Sequence, residues 1–228
     1  MVEAVAVASG KGGTGKTTTL ALGMALAEEH DVTVVDADTG MANLLFHAGL
    51  GDADTTLHDV LLGEAPVAAA TYDRFGMRVV PCGTSLAAFE AADPERLREA
   101  VATLARGTDV LLLDSPATLG SKSAVLPVVL ADRTVVVLEP TIPALSDGLK
   151  VGEYAAAYGT DGVAGPIKKV RGDADAVAAK TGPSFDGPPL GQAPAPAPAR
   201  TARRAGEPLP APAPESVPAP ACRLAARS

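Results

Sequence analysis

One run near the amino end, Ser9-Gly10-Lys11-Gly12-Gly13-Thr14-Gly15-Lys16-Thr17-Thr18, brings together the groups needed to hold a chain of phosphates. Gly10 to Thr17 fits the pattern G-x-x-x-x-G-K-[ST] at every fixed position. Gly10, Gly12, Gly13 and Gly15 let the backbone take φ > 0 and approach a ligand, so successive N–H groups, that of Thr14 included, converge on oxygens. Lys16 would set an ammonium against the β- and γ-phosphates of a nucleotide, and the Thr17 hydroxyl would bind Mg²⁺. Thr18 continues the same turn. A second cation, Lys11, stands directly after the first glycine.

Carboxylates follow at the ends of two apolar runs. Val32-Thr33-Val34-Val35 closes on Asp36-Ala37-Asp38, and Val110-Leu111-Leu112-Leu113 closes on Asp114. An acid at the carboxyl end of a buried parallel strand sits where ligands bind in open α/β sheets. Standing alone, Asp36 and Asp38 read equally as acids capping a loop, and Asp114 reads more commonly as the start of a turn. The glycine run upstream turns them into candidate site residues.

The elements that must position these groups follow from periodicity. Val2–Ala8 is apolar apart from Glu3 and predicts a buried strand, and Thr18–Glu29, rich in Ala and Leu, predicts a helix. Strand, glycine loop and helix form the context in which such a loop binds phosphate. Further on, the spacing predicts a helix over Leu57–Leu62, a short strand at Arg78–Pro81 and a helix from Pro94 to about Arg106 with Asp93 as its cap. It then predicts the strand ending at Asp114, a helix over Ser123–Leu130 interrupted by Pro127, a strand over Arg133–Leu138 and a helix over Pro143–Tyr158. This alternation implies an α/β fold, a mostly parallel sheet with helices on both faces.

The run K-G-G-x-G-K-[ST] resembles the deviant Walker A motif of the MinD/ParA family of P-loop ATPases. Asp36-Ala37-Asp38 with Asn43-Leu44 is similar to the family's switch I, and Leu113-Asp114-Ser115-Pro116-Ala117 to its Walker B and switch II. The resemblance implies a three-layer P-loop NTPase that binds ATP and Mg²⁺ and closes into a homodimer on ATP. In that dimer Lys11 would cross to the partner's phosphates. It also implies that Asp38 orients the attacking water and holds Mg²⁺ through water, that Asp36 supports the site from behind, and that Asp114 is an outer Mg²⁺ ligand.

Two positions depart from the family pattern. Thr118 stands where a switch II glycine is usual; it limits φ > 0, so a stiffer segment that alters hydrolysis rate and switching is expected. Lys168 stands where the family carries an adenine-contacting Asn. A lysine offers donors and no acceptor, so weaker adenine selectivity is expected, while a solvated Lys168 is the plain alternative.

Charge and composition narrow the function classes. Residues 1–165 carry 22 acids against 10 Lys/Arg, and residues 166–228 carry 5 against 9, giving −12 and +4 and the overall −8. So acidic a body speaks against unaided DNA binding, whose affinity comes from neutralising phosphates, and suits a salt-adapted, archaeal-type member. Cys82 and Cys222 are the only cysteines and no C-x-x-C occurs, which argues against a disulfide framework and against iron–sulfur relatives. No apolar run is long enough for a membrane span and no secretory leader is read, so a cytoplasmic protein is expected. Residues 182–228 hold 12 of the 20 prolines, so residues 1–181 are expected to form the ATPase domain, followed by a Pro/Ala-rich segment that is either an extended tail or a degraded end of the same domain. Its last residues, Ala225-Ala226-Arg227-Ser228, show no lipid-binding face.

Three readings stand together at this stage. The first is a MinD-like ATPase that positions or recruits an unidentified partner protein. The others are a ParA-like DNA-partitioning ATPase and a nucleotide-binding adaptor that does not hydrolyse.

Overall fold

The computed structural model describes residues 2–9, 15–116, 122–138, 142–157, 161–168 and 192–193. Strand β1 (Glu3–Ser9) leads to helix α1 (Gly15–Leu26), then β2 (Val32–Asp36) and the short helices α2 (Leu44–His47) and α3 (Leu57–Leu62). A hairpin, β3 (Tyr72–Arg74) and β4 (Met77–Val80), precedes helices α4 (Leu86–Ala91) and α5 (Arg96–Leu104). Strand β5 (Val110–Asp114), helix α6 (Lys122–Val129), strand β6 (Arg133–Leu138), helix α7 (Ile142–Ala157) and strand β7 (Asp161–Lys168) follow. Gln192–Ala193 forms β8.

The eight strands make one sheet in the order β3-β4-β2-β5-β1-β6-β7-β8, parallel throughout except for β3. Alternate residues of each strand serve opposite faces, as the pleat requires. Leu111 and Leu113 pack with Ala4, Val35, Leu57, Leu61, Leu97 and Leu126, so α3, α5 and α6 cover one face. Val110 and Leu112 pack with Val5, Val34, Leu20, Leu26 and Leu44, so α1 and α2 cover the other. This is the expected three-layer α/β architecture.

Local departures have local causes. The hairpin was not foreseen; its turn needs positive φ at both Phe75 (56°) and Gly76 (76°), and a phenylalanine there gives no turn signal. Helix α1 starts at Gly15, so the end of the glycine run already belongs to the helix. Asp93 accepts from the amide of Glu95 at 3.0 Å, and α5 starts at Arg96, after which the chain tightens into a 3-10 turn at Ala105–Gly107. Pro127 does not interrupt α6, which runs through it. One missing N–H is offset there by the burial of Leu126 and Val128. Within the proline-rich segment, Gln192 and Ala193 pair parallel with Ile167 and Lys168 at the sheet edge, directly before Pro194. An edge position suits a chain about to lose its donors. The rest of that segment lies outside the described residues.

Candidate phosphate-binding site

Register brings the site together. Asp36 ends β2 opposite Asp114 at the end of β5, and Val7 of β1 also stands level with Asp114. β1 lies between β5 and β6, where successive crossovers leave in opposite directions, so the strand ends open a crevice there. Helix α1 begins above this crevice. A Cβ built on Gly15 would lie 3.4 Å from Ser9 Oγ and 3.5 Å from Asp114 Oδ1, so the chain comes close to the strand ends at this glycine.

Lys16 extends into the crevice and meets three carboxylates: Asp38 Oδ2 at 2.9 Å, Asp114 Oδ2 at 3.0 Å and Asp36 Oδ1 at 3.2 Å. Each remaining oxygen has its own partner. Asp36 Oδ2 accepts the Leu44 amide at 3.1 Å, Asp38 Oδ1 the Met41 amide at 3.2 Å, and Asp114 Oδ1 the Thr19 hydroxyl at 2.7 Å. The side chains of Asp36 and Asp114 are 0% and 1% exposed, and that of Asp38 is 14% exposed. Asp36 and Asp114 are thus fixed from behind, and Asp38 stands at the mouth.

With every acid ionised, three carboxylates against one ammonium would leave this cluster two charges negative. Burial works to lower the pKa of Lys16, but Asp114, Asp36 and Asp38 more than offset it and hold the ammonium well above its ordinary value. Burial pushes Asp36 up to about 7 although Lys16 pulls the other way, and burial likewise raises Asp114 against the pull of Lys16. Burial pushes up the thiol of Cys82 too, with Asp36 adding to it. Among the described residues the crevice is short of positive charge.

Such a deficit fits a divalent cation. Among the described residues no three His, Cys, Asp or Glu side chains form a ready metal cage. Mg²⁺ does not require one, since it is commonly held by one or two protein oxygens with phosphates and waters. The hard oxygen donors present, Asp38 and Asp114 with Thr17 on the first turn of α1, are of the right chemistry.

Of the residues singled out in the sequence, Lys16, Asp36, Asp38 and Asp114 are brought together, and Gly15, Thr17 and Thr18 lie on the first turn of α1 beside them. Gly10, Lys11, Gly12, Gly13 and Thr14 lie outside the described residues, as does Thr118. Lys168 is the last residue of β7. Thr19 and the amide of Leu44 were missed. Only the register of β1 with β5 shows that Thr19 faces Asp114. Among the described residues no helix is long and apolar enough to cross a membrane.

Comparison with known proteins agrees with this geometry. Residues 5–164 match the model of the CobQ/CobB/MinD/ParA nucleotide binding domain. An uncharacterised ATP-binding protein of Methanocaldococcus jannaschii is 37% identical over 220 residues, covering 95% of this chain and 83% of that protein. The cell division ATPase MinD of Pyrococcus furiosus superposes with a TM-score of 0.77 at 32% identity, covering 91% of this chain and 90% of that one. The septum site-determining protein MinD of Pyrococcus horikoshii, solved with Mg-ADP, superposes with a TM-score of 0.75 at 31% identity over 91% and 87% of the two chains.

Proposed function

The chain belongs to the CobQ/CobB/MinD/ParA family of nucleotide-binding domains, and on that premise we propose that it is a MinD-like ATPase. In this reading it binds ATP with Mg²⁺, dimerises on ATP, and hydrolyses it to control the position or recruitment of another protein. The observation that carries the reading is the Lys16 ammonium held among Asp36, Asp38 and Asp114 at the mouth of the sheet. A lysine so placed is ready to exchange carboxylate oxygens for phosphate oxygens, both acceptors of charge-assisted hydrogen bonds. Similarity to a MinD protein solved with Mg-ADP and to an ATP-binding protein supports the choice of ligand.

The residues divide the work by exposure. Asp36 spends both oxygens on Lys16 and on the Leu44 amide, so it holds the frame. Asp38, partly open and braced by the Met41 amide, is the carboxylate suited to orient a water against the terminal phosphate. Thr17, Asp38 and Asp114 would hold Mg²⁺ directly or through water. The metal's contribution when bound is to neutralise phosphate charge and fix the phosphates in one geometry. Lys11 would add a second cation from the partner subunit, as an arginine finger does elsewhere. The acidic body favours a protein partner over DNA.

Two measurements test this. Sedimentation with ADP and with ATP, each with Mg²⁺, is expected to show a dimer only with ATP. Phosphate release is expected from the wild type and not from Lys16→Ala, Lys11→Ala or Asp38→Ala. ATP bound without turnover would establish the adaptor reading instead, and salt-dependent DNA binding the partitioning one.

A further inference from the structure

We propose that His58 is a positioning residue for Asp38, acting through the carbonyl of Thr39. This rests on the reading of Asp38 as the hydrolytic carboxylate. His58 lies on α3 and is 3% exposed. Its Nε2 stands 3.1 Å from the carbonyl oxygen of Thr39, the residue directly after Asp38. A carbonyl only accepts, so Nε2 carries the proton and donates it. The other ring nitrogen, Nδ1, is buried and finds no hydrogen-bond partner among the described residues.

That orphan nitrogen is informative. A leucine here would bury no polar atom, so the histidine is a costly choice unless its one hydrogen bond is needed. Space is also tight, since a Cβ on Gly83 would come within 3.1 Å of Nδ1. The ring therefore has little freedom to turn away from Thr39.

The base on which His58 stands is itself fixed. The Asp59 carboxylate accepts the Thr56 amide at 2.7 Å, and the Leu57 amide donates to the carbonyl of Pro81 at 2.8 Å. Gly63, at φ 79°, closes the other end of the helix. Thr39 is itself buried at 7% exposure, where a backbone carbonyl gains from a protein donor such as His58. The chain from Pro81 through α3 to Thr39 thus clamps the segment that carries Asp38. A group that anchors the backbone beside a catalytic carboxylate controls its aim without touching the substrate.

The test uses the full chain with His58→Leu, His58→Gln and His58→Asn. Gln places an amide N–H near the position of Nε2, whereas Asn is too short to reach Thr39. In Mg²⁺-dependent ATP hydrolysis, His58→Leu and His58→Asn are expected to lower kcat about tenfold with KM changed less than about twofold, and His58→Gln to recover kcat to within about threefold of wild type. Hydrogen exchange at the amides of Met41 and Leu44 is expected to quicken with Leu and Asn and not with Gln. Equal losses for Gln and Leu, a rise in KM with kcat kept, or unchanged exchange would overturn the proposal. Should the Leu variant not fold, Asn against Gln carries the same comparison. A wild type with no turnover would remove the hydrolytic reading alone, because the exchange measurement still decides whether His58 holds this segment.

Discussion

Thr19 and Asp114, 95 residues apart in the chain, meet at 2.7 Å between Oγ1 and Oδ1. The bond joins the first turns of α1 to the end of β5, and both residues are buried. Asp114 therefore keeps its orientation by two bonds to α1, one from Thr19 and one from Lys16. Thr19→Val keeps the shape and removes the donor, leaving a buried carboxylate oxygen unpaired. The expected loss is about 1.5–3 kcal/mol in urea unfolding with an unchanged m-value, and Thr19→Ser is expected to recover most of it. A valine variant as stable as wild type would mean that water replaces the hydroxyl at Asp114.

Asp36 makes the stability of the ligand-free protein depend on pH in an unusual direction. Its folded pKa, raised by burial to about 7, lies above the 3.8 of an unperturbed aspartate. Between those two values the folded state binds more protons than the unfolded one, so stability rises as pH falls through 7. His58 works oppositely, because burial lowers its pKa and the folded state resists protonation below the ordinary 6.5. The difference between wild type and Asp36→Asn isolates the aspartate. Relative to that variant, the wild type is expected to gain about 1–2 kcal/mol between pH 8 and pH 5.5 in chemical denaturation. Parallel pH curves for the two proteins would refute the raised pKa.

Gly23 sets how closely α1 approaches the sheet. In an exposed helix, Gly→Ala gains about 1 kcal/mol. Here an added Cβ would lie 2.6 Å from Met77 Sδ and 2.9 Å from Val34 Cγ2. Met77 is 3% exposed and has little room to move, and Val34 belongs to β2. The clash is expected to win, with Gly23→Ala less stable by about 1–3 kcal/mol. Adding Met77→Ala makes room, so the double variant is expected to lose less than the two single losses together.

The parts of the fold that the sequence made legible share one property: their signal is local. Arg133–Leu138 and Leu57–Leu62 were read with the bounds they have, since their apolar patterns lie within one element. Asp36, Asp38 and Asp114 were legible as strand-ending acids next to a phosphate-binding pattern. What escaped depends on partners far along the chain or on conformation that residue type hides. Thr19 sits in an apolar helix and points to Asp114 only once β1 and β5 are paired. Helix α4 buries none of its residues, so it leaves no periodic trace in the sequence. His58 looks like any helix residue until Thr39 folds against it.

Lys168 gives a prediction about nucleotide choice. It is the last residue of β7, next to β6 at the carboxyl end of the sheet. Three donors and no acceptor cannot reproduce an amide's two-way pairing with a base edge. The wild type is therefore expected to bind ATP and GTP with similar affinity, and Lys168→Asn to shift the ratio toward ATP. Calorimetric competition between the two nucleotides measures it. Strong ATP preference in the wild type would mean that the base is read elsewhere.

Removing Lys16 separates ligand binding from the electrostatics of the ligand-free protein. The wild-type cluster holds one ammonium 2.9–3.2 Å from three carboxylates. Lys16→Ala leaves those acids with no cation among them from the described residues, and two of them are almost fully buried. Either the acids take up protons or the crevice opens to water. The first route predicts a loss of about 3 kcal/mol at pH 8, where the acids resist protonation. It predicts a smaller loss at pH 5.5, where Asp36 takes up a proton readily. Adding Asp36→Asn removes one of the stranded charges, so the double variant is expected to be more stable than Lys16→Ala at pH 8 and no different from it at pH 5.5. Nucleotide binding is expected to be lost at both pH values, because the phosphates then lose the Lys16 ammonium at the mouth of the sheet. Unchanged stability at pH 8 would select the second route: a crevice hydrated before any ligand arrives, with Lys16 free to leave its carboxylates at little cost.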